Sequence, residues 1–334
     1  MQQSEQTNVK VPSFSQETER RKTTERTKSE QNFQLSARRR EATAEITRRL
    51  TPANKKLYVA VKVMQKRHEP QRMILEQQIL YSLKGKPEFP KLLGSGTFED
   101  YMFIVMELLG KSLSELRKKN EGKKVSRWCM SCCQESLLHT LLRFDAITAL
   151  RVGLMMTDSL KVLHDMGYIH RQVEFQNMQI DIKPGNMCVG ATPESVRKVY
   201  LLDFGLARKF RCACDDLISN FYTMIELAEG NLPWTRLREA EDIARRKRNI
   251  SFEELCPSVK LLSGMSTELQ EYYTYCYDNV EDPNQPNYEY LKDIIKKCLP
   301  VAFDFDSPMP WESMASSELL LLTEATCIDD DPEQ

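Results

Sequence analysis

Glycine is scarce in this sequence. Average usage of about 7% would give a chain of this length roughly 23 glycines, whereas it holds 12, the first of them Gly85. Chemistry that needs a glycine-rich loop for close backbone approach must find it downstream of that point or do without. An excess of one charge is lacking too: 47 Lys and Arg offset 48 Asp and Glu, leaving −1 at neutral pH. That balance excludes a chain-wide field drawing in nucleic acid or anionic lipid. No apolar run approaches the ~18 residues of a membrane span, and residues 1–10 lack the apolar centre of a secretory leader. The ten cysteines are accordingly expected to be reduced thiols of an intracellular protein rather than a disulfide framework. The remaining composition is ordinary for a globular chain. With 41% hydrophobic and 28% charged residues in 334, it argues against wholesale disorder and allows one two-lobed unit or two modest domains.

Residues 1–56 are polar, with basic clusters Arg20-Arg21-Lys22 and Arg38-Arg39-Arg40 and no lasting apolar period. They read as a disordered tail with a short helix near 42–50, its basic clusters available to acidic partners or nuclear import. Order is expected from Leu57. Residues 57–64 alternate and are β-branched, which suits a strand with Ala60 and Lys62 on one face and Val59, Val61 and Val63 on the other. Residues 71–83 carry Met73, Ile74, Leu80 and Leu83 at helical spacing. Residues 89–93 and 101–109 read as further strands, with Gly94-Ser95-Gly96 as the turn between them. Helices then dominate: 144–165, with Leu150, Leu154, Leu160 and Leu163 on one stripe, and 217–227, 239–247, 267–279 and 288–298. The end, from residue 313, reads as an acidic tail.

Five pieces occur in one order: Val59-Ala60-Val61-Lys62, a helix with Glu76, the apolar strand ending Met106-Glu107-Leu108-Leu109, Asp181-Ile182-Lys183-Pro184-Gly185-Asn186, and Asp203-Phe204-Gly205. Each alone is weak, since a strand Lys usually snorkels and a helix Glu is usually solvated. The ordered set resembles the protein-kinase signature set. More narrowly it resembles the casein kinase 1 superfamily, nearest its tau-tubulin-kinase-like branch, through 103–113, 163–171, 181–190, 198–208 and Pro310-Trp311-Glu312. The resemblance implies an α+β, bilobal protein-kinase-like fold over 57–312. Its N-lobe, 57–109, would be β-rich with one main helix, and its C-lobe, 110–312, mostly helical. It also implies a serine/threonine kinase using ATP and Mg²⁺ on protein substrates, as a monomer. A cytoplasmic location is expected, with the nucleus as alternative, no membrane association and no dedicated nucleic-acid binding.

The resemblance assigns roles residue by residue. Phosphoryl transfer passes through a charge-spread transition state, so the protein supplies positioning and positive charge. Lys62 would hold the α/β-phosphates, fixed in reach by Glu76. Ala60 and Cys188 would sandwich the adenine, Met106 would guard the pocket behind it, and the backbone of Glu107 and Leu109 would meet its edge. Asp181 would accept the substrate hydroxyl proton with Lys183 near the γ-phosphate. Asn186 and Asp203 would offer oxygen ligands to Mg²⁺.

Departures from the family bear on activity. No glycine precedes Lys62, where the family places its phosphate lid. Residues 172–180 separate His170-Arg171 from Asp181, which the family keeps adjacent. Asp203 and Asp216 lie too close in sequence for the family's activation and peptide-docking segment, which is missing after Arg211. Its loss is expected to expose the helices around Leu160 and Leu217. An insert at 125–143 holds Cys129, Cys132, Cys133 and His139, but only Cys212 and Cys214 could complete a ligand set, so no metal is expected there. The alternative reading is a catalytically impaired pseudokinase acting as a binding or scaffold protein.

Overall fold

A computed structural model describes residues 44–50, 56–120, 144–170, 182–209, 213–237, 239–255, 266–278 and 285–312. All belong to the unit formed by residues 42–334. The inserts at 125–143 and 172–180, the acidic tail and the tail ahead of residue 44 lie outside the described residues.

The first sheet has the order β1 (Ala44–Leu50), β2 (Lys56–Gln65), β4 (Tyr101–Glu107), β3 (Leu92–Phe98). β1 corrects the sequence reading, which has helix and tail there. It pairs antiparallel with β2 from Ala44↔Lys62 to Leu50↔Lys56. Ladder hydrogen bonds are made by the backbone, so a polar stretch with little apolar signal can still be recruited as a strand by its neighbour. β3 is a second correction. Gly94 and Gly96 lie inside the strand, and the hairpin turns at Glu99 and Asp100, with Glu99 at φ 47°. A Cβ at Gly96 would sit 2.9 Å from Phe103 Cζ on β4, so the missing side chain accommodates that ring.

α1 (Pro70–Ser82) has Pro at its start and buries Met73, Glu76, Ile79 and Leu80 on one stripe. β5 (Leu109–Ser112) leaves the first sheet and pairs with β7 (Met187–Gly190), which pairs in turn with β8 (Val199–Leu201). α2 (Leu113–Asn120) follows β5.

The helical part centres on α3 (Ala146–Asp165), capped by Asp145, whose carboxylate accepts from Thr148 N–H at 2.8 Å. α4 (Cys214–Glu229) crosses it where Gly153 lets Met224 Sδ approach. α5 (Ala240–Asn249) and α6 (Phe252–Leu255) precede α7 (Ser266–Asp278) and α8 (Tyr288–Lys297). The expectation of exposed helix faces is overturned, because Leu160 and Leu217 are both 0% exposed. α7 covers α4, with Tyr272 stacked on Phe221 at 5.5 Å and its hydroxyl donating to Leu217 O. α8 covers α3 through Tyr288.

Residues 303–312 form a clasp over α3. Arg151, 7% exposed, donates to the carbonyls of Phe305 and Ser307 at 2.9 Å, and Arg197 donates to Glu312 Oε1 at 2.9 Å. Trp311, 1% exposed, donates its indole N–H to Val196 O at 2.8 Å and meets Phe144 edge-on.

Candidate active site

Alternation along β2 points Lys62 to the same face as Ala60, while Val59 and Val61 are buried on the other. Lys62 Nζ lies 2.7 Å from Glu76 Oε2 on α1 and 3.2 Å from Asp203 Oδ1. Two carboxylates therefore share one ammonium at the join of the sheet, α1 and the segment after β8. Burial works against the Lys62 charge, but Glu76 and Asp203 overcome it and raise its pKa, so the ammonium persists at neutral pH. Asp203 is the converse. Burial opposes its ionisation, yet Lys62 holds the carboxyl below the usual range. Glu76, 3% exposed, is pushed up by burial more than Lys62 brings it down.

Asp203 sits at φ 68°, left-handed backbone that is rare outside glycine. Phe204 is fully buried between Phe89 at 5.8 Å and His170 at 5.4 Å. The inward phenyl ring and the left-handed aspartate belong together: burying one turns the other toward Lys62. The Asp203 side chain keeps 54% of its exposure, so an ionised carboxylate faces open space.

The segment joining the two sheets carries Met106, Glu107 and Leu109. Met106 stands opposite Ala60, and Leu109 pairs with Gly190. The Glu107 side chain accepts from Lys91 N–H at 3.1 Å, while its own N–H donates to Lys91 O. A Cβ on Gly110 would meet Val189 Cγ2 at 2.9 Å and Gly190 O at 3.0 Å, which makes glycine a packing requirement there. Cys188 is central in β7; burial, with Glu115 adding, pushes its thiol up to about 12, leaving an apolar surface rather than a nucleophile.

Asp181 lies outside the described residues, but both flanks of its segment are anchored. His170 Nε2 bonds Leu202 O at 2.9 Å, and Leu202 N–H donates to Asn186 O at 2.9 Å. The chain before and after 171–181 thus returns to the same residue. On the later flank, Ile182 is 1% exposed and its carbonyl accepts from Thr223 at 2.8 Å. Lys183 follows exposed, its charge felt by Glu226, which Arg117 also contacts at 3.1 Å. β6 (Tyr168–Ile169) pairs with β9 (Arg208–Lys209), and α4 begins at Cys214, so only 210–213 join β9 to α4.

The donor chemistry fits Mg²⁺. Asp203 offers an ionised, half-open carboxylate, and Asn186 lies in the 3₁₀ turn whose carbonyl holds Leu202. Among the described residues no three His, Cys, Asp or Glu converge. The structure thus brings together Lys62, Glu76 and Asp203 and pairs the strands bearing Ala60, Met106, Leu109 and Cys188. Sequence reasoning missed His164, whose Nε2 bonds Asp216, and Tyr288, whose hydroxyl bonds His164 Nδ1.

Residues 41–236 match the family described as protein tyrosine and serine/threonine kinase. The chain is 30% identical over 293 residues to a Dictyostelium discoideum protein named as a serine/threonine-protein kinase, covering 78% of this chain and 52% of that one. It is 28% identical over 276 residues to a Caenorhabditis elegans protein named as a casein kinase I, covering 72% and 71%. The serine/threonine-protein kinase spe-6 of the same organism is 26% identical over 275 residues, covering 72% and 64%. The chain spans about half the length of the Dictyostelium relative. With the ordered motifs and a family match over more than half its length, the chain belongs to the protein tyrosine and serine/threonine kinase family.

Proposed function

We propose that this chain is an ATP- and Mg²⁺-dependent serine/threonine protein kinase of the casein kinase 1 class, nearest the tau-tubulin-kinase-like branch. The observation that carries the reading is Lys62 held at 2.7 Å by Glu76 and at 3.2 Å by Asp203. A buried ammonium with a paired carboxylate at fixed reach is suited to polyphosphate, and the ionised Asp203 to the metal bridging it. Bound Mg²⁺ would neutralise phosphate charge. Lys62 would orient the α/β-phosphates, Ala60 and Cys188 would enclose the adenine, Met106 would bound the pocket, and the Glu107 and Leu109 backbone would meet the adenine edge. Asp181 would take the hydroxyl proton, with Lys183 countering charge at the γ-phosphate.

A second reading, a nucleotide-binding scaffold with little turnover, is favoured by the four residues that join β9 to α4. The two separate in one set of experiments. Mg-ATP should raise the melting temperature under either reading, whereas labelled γ-phosphate should reach casein only under the first. Asp181→Asn should lower that transfer by about 10²–10⁴-fold, the range for loss of a general base, while leaving the Mg-ATP shift in place. Transfer that survives the substitution removes Asp181 as the base.

A further inference from the structure

A buried polar chain runs from the C-terminal helix toward the segment that holds Asp181. Tyr288 Oη lies 2.6 Å from His164 Nδ1, and His164 Nε2 lies 3.0 Å from Asp216 Oδ2. The same Oδ2 accepts the backbone N–H of His170 at 2.6 Å. Exposure falls from 8% at Tyr288 through 6% and 2% at His164 and Asp216 to 0% at His170. We propose that Tyr288 is a positioning residue for the phosphoryl-transfer loop, orienting the His164 imidazole so that Asp216 stays on the His170 N–H. The kinetic consequence rests on the kinase reading above; the geometric one does not.

Donor and acceptor chemistry gives the chain a direction. An ionised Asp216 carboxylate only accepts, so a neutral imidazole facing it donates through Nε2–H and leaves Nδ1 as the acceptor for the Tyr288 hydroxyl, whose pKa is raised by burial and by the nearby Asp165. His164 then carries its own proton on Nε2 and donates to Asp216. The opposite tautomer would set a lone pair against a carboxylate. Tyr288 is itself well fixed. It is the first residue of α8 after Asn287, whose side chain caps the helix through Tyr290 N–H at 2.9 Å. The Asn287 N–H donates to Tyr275 Oη on α7 at 2.8 Å, and Lys161 Nζ stands 5.9 Å from the Tyr288 ring centroid. Helices α3, α4 and α8 therefore meet at one imidazole, with α7 bracing the start of α8 through Tyr275, and Asp216 carries that alignment to the His170 N–H.

Tyr288→Phe removes one oxygen and leaves the ring. In ¹⁵N-labelled protein, wild-type His164 should show the Nε2–H tautomer, and the variant should alter its Nδ1 resonance. The His170 amide should exchange with solvent about tenfold faster relative to amides of β7 and α4, the loss expected for one hydrogen bond. If wild type transfers phosphate, the variant should lose several-fold in kcat with KM for ATP unchanged. A failed transfer assay in wild type sinks the kinase reading alone, since tautomer and exchange are measured without turnover. A His164 proton on Nδ1, or His170 exchange that moves no more than the reference amides, overturns the role assigned to Tyr288.

Discussion

Breaking a buried ion pair strands the surviving charge, and at Lys62 the survivor is a carboxylate with 4% side-chain exposure. Lys62→Met should cost about 3 kcal/mol at pH 8, in the range for a buried pair broken from one side. The cost should depend on pH in a particular direction. Glu76 already titrates above its ordinary value, because burial outweighs the help of Lys62. Without Lys62 that elevation grows. A carboxyl raised on folding binds protons more readily in the native state, so stability rises as pH falls toward its folded pKa. Urea denaturation of Lys62→Met and wild type at pH 8 and pH 5 should show the penalty shrinking by at least half. A constant penalty would mean that Glu76 is not the stranded charge. Local periodicity made this pair legible, since alternation faces Lys62 and helical spacing faces Glu76. The left-handed backbone of Asp203 and the Tyr288–His164 contact were not legible. The second spans 124 positions, and no local pattern carries a tertiary contact of that separation.

At the scale of elements, the strands and helices that read easily from sequence are those with an apolar face, such as β2, α1 and α3. β1 was read as tail or helix because backbone pairing with β2 defines it. Gly94 and Gly96 were read as a turn because glycine signals turns and the nearby ring of Phe103 is invisible in one dimension. Gly110 is the position where an element-level packing constraint reaches the site. Adding a methyl there would press on Val189 Cγ2 and on the carbonyl of Gly190, forcing β5 away from β7. Gly110→Ala should cost about 1–3 kcal/mol by overpacking. Because β5 follows Glu107 and pairs with Cys188 on β7, the same shift should weaken ATP binding. A fluorescent ATP analogue titrated against both proteins should bind the variant several-fold more weakly. Unchanged affinity with lowered stability would place the strain outside the nucleotide pocket.

At the scale of the whole molecule, few residues separate β9 from α4. One hydrophobic cluster runs from Met73 and Ile104 in the sheet-bearing half, through Phe204 and Leu160, to Trp311 near the end of the described chain. α7 packs on α4 at Leu217, α8 packs on α3, and the clasp 303–312 covers α3 at Arg151. Trp311 is the keystone of that clasp, packed on Phe144 and bonded to Val196 O. Trp311→Ala should cost about 3–5 kcal/mol, the range for deleting a buried aromatic. At roughly 2–4 °C per kcal/mol for a domain of this size, the melting temperature should fall by about 6–20 °C. Trp311 touches none of the residues around Lys62, so the increment in melting temperature produced by saturating Mg-ATP should persist. Calorimetry of wild type and variant, each with and without Mg-ATP, checks both statements at once. A small loss of stability would show that the helices alone seal the lower half. Loss of the Mg-ATP increment with retained folding would show that the clasp communicates with the nucleotide site.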